Sequence, residues 1–572
     1  MTIGKIHFSL SPDIQCLISV RADRGIYKKR APFRVVIFFL FVIKSNRLSA
    51  CIYTSIMSDQ EKAVGHETRV PVKDGSSLDA YEKSLSDSGL GETSVGGLSM
   101  INRLAAKLNA ETKGIEIVTD EEKGDESIIS AASMWWSANM VIATFSLGAL
   151  GVTVFGLSFF QCIMSIVFFN LLGALPVAYF SIFGVKLGLR QMILSRFLVG
   201  DYGQRIFGFI NMVACVGWGA VNIMASAQLL NIINNGACPP WAGCIILVVC
   251  TIIVTFFGYN IIHTYEKYSW IPNMVAFIAI IARMAMSKTF TWGTTVGGET
   301  TAGNVLSFGG AIYGFATGWT TYASDYTVYQ PRNANVVRIF FGILFGLLLP
   351  LIFTMTLGAA CATGTLTNTR WAELYKDKSI GGLVYAILVE DSLHGFGEFL
   401  CVILALSTVA NNIPNMYSVA LSAQSVWSPL KKIPRVFWTV AGNFAVLAIC
   451  IPGYYQFEDV MENFMNLIGY YLAIYECMCL SEHFIWKKNK WSAYDYENFN
   501  DKRVYPVGIA GVFGFCCGCA GVVIGMNQVW YQGVLGRQIG EYGGEIGFEL
   551  AGAFSAIGFN FARFFEIKYI GR

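Results

Sequence analysis

Charged residues are scarce in this sequence: 14% of its 572 residues, against 54% hydrophobic, with a mean hydropathy of +0.51. That balance excludes a water-soluble globular domain, and 42 phenylalanines place most of the chain in lipid. With so few charges, the net +3 says little about partners; only their positions do. Catalytic arrangements are missing too. There is no nucleophile–base constellation, no phosphate loop and no metal motif, so the residues imply neither an enzyme nor a resident cofactor or metal. The 15 cysteines do not change this. Most lie in apolar runs (Cys215, Cys250, Cys401, Cys450, Cys477, Cys479), where a thiol serves as a small, membrane-compatible side chain. The cluster Cys516-Cys517-Gly518-Cys519 sits in an apolar helix with no histidine or carboxylate at ligand spacing. Gly514 and Gly518 there form a small-xxx-small pair suited to helix packing.

Residues 1–56 are basic, and their one apolar run, Val35 to Ile43, is too short to span a bilayer. They read as a gene-model extension or a disordered segment, with Met57 as the expected initiator. Residues 57–133, rich in Ser, Gly, Asp, Glu and Lys, read as a disordered cytoplasmic tail. Its Lys62, Lys73 and Lys83 are positions at which a ubiquitin ligase could act to control turnover; a merely solvated tail is the simpler reading. Residues 134–490 read as a ten-helix core, and residues 491–572 as two peripheral helices with a short C-terminal tail.

Hydropathy places about twelve membrane spans: Met134–Ser158, Gln161–Phe183, Ile206–Ile232, Trp241–Phe257, Trp270–Met286, Leu306–Ser324, Val336–Gly358, Phe396–Ala420, Val436–Pro452, Val460–Leu480, Val504–Met526 and Gly543–Phe564. Alternate loops carry Lys186, Arg190, Arg196, Arg205, Lys267, Arg332, Arg338, Lys431, Lys432, Arg435, Lys487, Lys488, Lys490, Lys502 and Arg503. The opposite loops hold only Lys288, Arg370, Lys376, Lys378 and Arg537, a threefold deficit. By the positive-inside rule both termini are cytoplasmic.

Within these spans, four segments are too polar to face lipid. Span 8 contains Ala410-Asn411-Asn412-Ile413-Pro414-Asn415-Met416-Tyr417-Ser418. Each buried amide needs a partner and the proline frees a carbonyl, so this helix is expected to line an enclosed polar cavity. Span 1 (Trp135 to Gly151) and span 6 (Ser307 to Asp325) are dense in small and polar residues. Glycine weakens a helix by about 1 kcal/mol relative to alanine, so these are the expected places of unwinding; close helix packing is the alternative use of the same glycines. A pair of interrupted helices five spans apart points to an inverted-repeat transporter with a midplane site. Span 3 adds Trp218 and Asn222, four apart and therefore on one helix face. A flat aromatic beside an amide suits a flat, polar-edged ligand, since an asparagine can offer a donor and an acceptor to a base edge.

The stretches Phe168–Phe180, Gly188–Phe197, Gly318–Pro331 and Asn411–Ser418 resemble the fungal purine-cytosine permeases. These form the branch of the nucleobase-cation-symport-1 family that imports cytosine, adenine, guanine and hypoxanthine with protons. The resemblance runs from Met134 to about Lys490. It implies an all-α membrane protein with a LeuT-type 5+5 inverted repeat plus two peripheral helices, located in the plasma membrane. Carried over by position, it implicates Thr144, Trp218, Asn222, Trp319 and Asn415 in substrate binding, with Asn411 and Pro414 shaping the span-8 wall. Some relatives carry serine where Thr144 stands, so its extra methyl bears on pocket volume. No role is assigned to Asn412 beyond a helix contact.

Two tryptophans would then sandwich a base while Asn222 and Asn415 read its edge. The coupling proton is harder to place, because no lone carboxylate sits squarely at the centre of a core span. Glu266 before span 5 and Asp325 after span 6 are the coupling candidates, followed by Glu462 and Glu476 in span 10; each has an ion-pairing or capping alternative. Hydroxyls such as Ser407 and Thr408, near an unwound span 1, leave Na+ open as a coupling ion. Besides nucleobase import, the residues admit a vitamin B6 (pyridoxine) importer of the same architecture. A nutrient sensor is the third reading, though the polar tail shows no signalling domain. Nucleic acid is not an expected partner.

Overall fold

The structure, a computed structural model, describes residues 114–124, 128–256, 267–433 and 435–572. The expectations for residues 1–113, including Met57 and the three tail lysines, and for Glu266, lie outside the described residues.

Fourteen α-helices follow one another among the described residues: α1 Ile128–Asn139, α2 Ile142–Thr153, α3 Phe159–Leu187, α4 Gln191–Ile232, α5 Pro240–Phe256, α6 Trp270–Ser287, α7 Glu299–Thr317, α8 Val336–Thr363, α9 Thr369–Leu388, α10 Gly395–Val426, α11 Arg435–Gly453, α12 Phe457–Ser481, α13 Ile509–Gly525 and α14 Gly547–Ile570. A 3-10 turn, Thr320–Tyr326, continues α7, and a two-stranded hairpin (β1 Asn527–Gln528, β2 Tyr531–Gln532) precedes α14. Every expected span holds a helix or, for span 1, the pair α1/α2, which bends by 55°. By length and composition, six helices can cross a membrane alone, or seven with that pair counted as one span.

Three segments differ from the sequence reading. The basic stretch expected as a loop before span 3 is the first part of α4, which starts at Gln191 and kinks at Gly200 (φ +77°) where Gly508 packs against it. Arg190 and Arg196 are consequently buried. An additional helix, α9, lies between spans 7 and 8; its charged first half defeats a hydropathy search, while its second half from Ile380 to Leu388 is buried except at Tyr385. The tail expected to be disordered to residue 133 is ordered at its end. Ile115 and Val118 are buried, Val118 N–H donates to Gly188 O (3.0 Å), and α1 begins at Ile128.

The two halves pack by one rule. α2 packs on α8, where a Cβ on Gly148 would stand 1.9 Å from Met355 O and one on Gly358 1.9 Å from Phe145 O. α7 packs on α3, where Gly309 lies against Phe169 and Gly173 against Tyr313 O. Spans 1 and 7, and spans 6 and 2, are the pairs that an inverted repeat exchanges. In both, absent side chains let backbones touch. Span 1 breaks at Met140–Val141 rather than at a glycine, so Gly148 and Gly151 serve close packing. α13 lies along α14, with Gly514 and Gly518 against Phe559 and Ser555, as the small-residue spacing implies.

Candidate functional site

The site is built around two breaks. In span 1, α1 ends at Asn139 and Val141 is extended (φ −134°, ψ 163°). A helix interrupted in a membrane must find new partners for its backbone, and side chains of two other spans supply them. Ile142 N–H donates to Ser407 Oγ (3.2 Å), Asn273 Nδ2 donates to Met140 O (3.0 Å), and Asn411 Nδ2 donates to Ala138 O (2.5 Å). The polar residues of spans 5 and 8 thus hold the break open. In span 6, α7 ends at Thr317 and the chain turns through Gly318 and Trp319 into the 3-10 turn, itself irregular at Tyr322 (φ −140°). Thr321 Oγ1 donates to Asn211 Oδ1 (2.6 Å), fixing this turn to α4.

Trp319 lies within the second break, and Trp218 packs against its neighbour Gly318. The Trp319 indole N–H donates to Asn139 Oδ1 (3.0 Å), and its ring meets those of Trp135 and Tyr322 edge-on at 5.1 and 5.5 Å. The Trp218 ring lies against Gly318, where a Cβ would come within 2.5 Å of Cζ2, and is set edge-on to Phe315 and Phe464. Its indole Nε1 is buried with no partner among the described residues. One helical turn on, Asn222 Nδ2 donates to Asn411 Oδ1 (2.6 Å) and Asn412 Oδ1 (3.1 Å), while Asn222 Oδ1 is buried and unpartnered. Asn415 Nδ2 donates to Asn411 O (3.1 Å), and Asn415 Oδ1 accepts from Tyr322 OH (3.0 Å).

One hydrogen-bonded network therefore joins Asn222, Asn411, Asn412, Asn415 and Tyr322, and so spans 3, 6 and 8. Asn411 is its hub and ties it to the span-1 break. Asn412 has a definite partner in Asn222. α10 runs through Pro414 without interruption. Thr144 is buried in the first turn of α2, its hydroxyl unpartnered, and no hydrogen bond links it to the network.

Asp325 lies elsewhere, at the far end of the 3-10 turn. Its Oδ1 accepts from Gln191 N–H (2.7 Å) at the start of α4, and its backbone oxygen accepts from Arg190 Nη1 (2.7 Å). A carboxylate at a helix N-terminus is favoured by the orphan N–H groups and the helix dipole. Arg190 in turn faces the rings of Tyr329 and Tyr417, at 5.4 and 5.6 Å. Of the three weighed carboxylates that lie among the described residues, Asp325, Glu462 and Glu476, it is Glu476 that accepts hydroxyl hydrogen bonds from three side chains. Tyr322 and Asn139 join the site without having been singled out. The signal for Asn139 was its spacing of four from Trp135, which puts both on one helix face.

The profile of the family described as permeases for cytosine/purines, uracil, thiamine and allantoin matches residues 117–535. The chain is 53% identical over 508 residues to purine-cytosine permease FCY21 of Saccharomyces cerevisiae (89% of this chain, 95% of the relative). It is 56% identical over 478 residues to purine-cytosine permease FCY2 of the same yeast (83% and 90%). Vitamin B6 transporter TPN1 of that yeast is 28% identical (86% and 94%). Among solved structures, the fold is similar to Mhp1, a nucleobase-cation-symport-1 family transporter in a closed conformation with bromovinylhydantoin bound. The TM-score is 0.62 at 15% identity, covering 80% of this chain and 95% of that one. The chain is a multi-pass membrane protein of a transport family, not an enzyme, and it belongs to the fungal purine-cytosine permeases of the nucleobase-cation-symport-1 family.

Proposed function

We propose that this permease imports purine bases and cytosine across the plasma membrane by proton symport and alternating access, with both termini cytoplasmic. The observation that carries the reading is the pair of tryptophans at the span-6 break, Trp319 within it and Trp218 against Gly318, with the unpartnered Trp218 indole N–H and, one helical turn on, the unpartnered Asn222 carbonyl. A planar base stacked between Trp218 and Trp319 would bring its edge to these groups and to Asn415 and Thr144. In so dry a site the wrong edge leaves a buried amide unpaired, at a cost of about 1–3 kcal/mol. The relatives named purine-cytosine permeases, at 53% and 56% identity, support that ligand class over the B6 class at 28%. The span-8 hydroxyls weighed as Na+ ligands are engaged within the protein. Ser407 accepts from the Ile142 amide, and Thr408 shares a hydrogen bond with Ser226 and donates to Asn222 O (3.1 Å).

The test is labelled cytosine uptake competed by adenine, hypoxanthine, uracil and pyridoxine, with and without Na+ and a protonophore. Competition by adenine and hypoxanthine, with collapse under the protonophore, is expected. Competition by pyridoxine alone would transfer the chain to the B6 class, and saturable binding without accumulation would make it a sensor. Asn415→Ala should abolish uptake while the protein still reaches the plasma membrane; normal uptake by that variant would remove Asn415 from the site.

A further inference from the structure

Glu476 lies inside α12, 3% exposed, and among the described residues it has no cationic partner. Its carboxylate instead accepts three hydroxyl hydrogen bonds, all from span 6. Tyr313 OH donates to Oε2 at 2.8 Å, Thr320 Oγ1 donates to Oε1 at 2.8 Å, and Thr317 Oγ1 also donates to Oε1. Thr317 is the last residue of α7 and Thr320 the first of the 3-10 turn, so two of the donors bracket Gly318 and Trp319, the break itself. A lone carboxylate this deep is costly as an anion and cheap as an acid. Three donors lower the cost of the anion without removing it.

The geometry points to Glu476 as the site that binds and releases the coupling proton, acting on substrate through the span-6 break. This deepens the proton-symport reading and rests on it. The step is proton binding alone: carboxylate plus a proton from the external side gives the carboxylic acid, and release to the cytoplasm restores the anion. As an anion, Glu476 draws Thr317 and Thr320 onto one oxygen and holds the break tight. As an acid it becomes a donor on one oxygen, so a hydroxyl must turn away. Thr317 and Thr320 lie 3.1 Å apart, ready to bond each other instead. Trp319 sits between them in sequence, so the proton and the stacked base act on one turn of backbone, and each changes the other's affinity by the same factor.

The surroundings fit a reversible proton site. Titratable groups facing Glu476 are Tyr313 from α7 and Tyr471, Cys477 and Cys479 from α12 itself. On the packed elements, Glu549 of α14 and Glu462 further along α12 have no cationic partner among the described residues and neighbour Glu545, while the remaining ionisable groups have partners of their own. In the 3-10 turn Asp325 caps α4, and before α14 Glu545 is held by Tyr470, Gln528 and Asn527 N–H. At the opposite end of α12, Glu482 and Arg563 pair with each other, and Arg190 of the α4 entry binds Asp325 O. On the α4 helix itself Arg205 pairs with Asp201, while Arg196 donates to Ser425 O. Within the described contacts of α12, Glu476 is thus a carboxylate free to change charge without breaking an ion pair.

The full-length permease and its Glu476→Gln variant would be compared in cells for cytosine accumulation at acidic and neutral external pH, and for exchange of internal against external cytosine. Gln keeps the size and an acceptor oxygen but binds no proton. The expected variant exchanges cytosine near the native rate, while its accumulation ratio falls to about one at every pH, as loss of coupling requires. Proton-driven, pH-dependent accumulation by Glu476→Gln would overturn the proposal and leave the symport reading standing. Accumulation by the native protein that ignores both pH and protonophore would overturn the symport reading and the proposal with it. Should Glu476→Gln lose exchange as well, Glu476→Asp decides: a displaced pH profile supports the assignment, and an unaltered one defeats it.

Discussion

Asn411→Ala removes the residue through which three spans meet. Three hydrogen bonds are lost outright: Asn222 Nδ2 to Asn411 Oδ1 (2.6 Å), Asn411 Nδ2 to Ala138 O (2.5 Å) and the longer Asn415 Nδ2 to Asn411 Oδ1 (3.3 Å). Asn415 keeps its bond to the Asn411 backbone oxygen (3.1 Å) and Asn222 keeps Asn412 (3.1 Å), so neither neighbour is stranded. The Ala138 carbonyl is different. Ile142 N–H, its partner in an unbroken helix, donates to Ser407 Oγ, so without Asn411 that carbonyl is buried and unpaired. Such a group costs about 1–3 kcal/mol, and an interhelical hydrogen bond in a membrane contributes about 0.6 kcal/mol on average. The sum is about 2–4 kcal/mol, divided between loosening the span-1 break and misplacing Asn222. If half of it reaches the site, KM for cytosine rises by about tenfold, since 1.4 kcal/mol is a factor of ten. Asn412→Ala is the internal comparison: it deletes one 3.1 Å bond and should raise KM by about threefold or less. Initial uptake rates, with thermal unfolding of the detergent-solubilised protein, measure both shares. Equal, near-native KM and melting temperature for both variants would refute the claim that Asn411 organises the site.

Gly318→Ala meets no backbone obstacle, since φ is −48°, but its methyl would lie 2.5 Å from Trp218 Cζ2. The ring must shift, so a loss of about 1–3 kcal/mol is expected from overpacking, read as weaker cytosine uptake with normal surface expression. Arg563 is paired bidentately with Glu482 at 2.8 and 3.0 Å, both buried. Arg563→Met leaves Glu482 with only the longer Lys487 contact (4.0 Å) and should cost up to about 3–5 kcal/mol, seen as a lower melting temperature; an unchanged one would show that the pair does not fasten α14. Outside the membrane, Lys123 donates to Val185 O (2.7 Å), and burial, with Arg332 and Lys186 nearby, pushes its ammonium down to about 8. Its ordinary value is 10.5, so between these limits the docked state has lost a proton that the undocked state keeps, and docking strengthens as pH rises. A spin label at Glu121 should become less mobile from neutral pH to pH of about 9, and Lys123→Met should abolish that change.

Much of this was legible in the residue order. Hydropathy alone locates spans because each must bury its backbone hydrogen bonds internally across a fixed thickness. The asparagines of span 8 announce a polar interior because an amide in hydrocarbon is too costly to keep without a partner. The four-residue spacing of Trp218 and Asn222 likewise fixes a shared face before any fold is known. α9 escaped because its charged first half masks an apolar second half, and the start of α4 escaped because its arginines read as loop.

What the tertiary structure alone decided is where each helix breaks and which amides stay free. Glycine content suggested that spans 1 and 6 would open, yet span 1 opens at Met140–Val141. Ser407, Asn273 and Asn411, far away in sequence, offer partners there for the exposed backbone. Likewise, nothing local distinguishes Asn411 from Asn415 or Glu476 from Glu462. Which amide becomes the hub of the network and which carboxylate gathers hydroxyl donors are set by what the packed helices bring within hydrogen-bond reach, and that is a property of the packing, not of the residue.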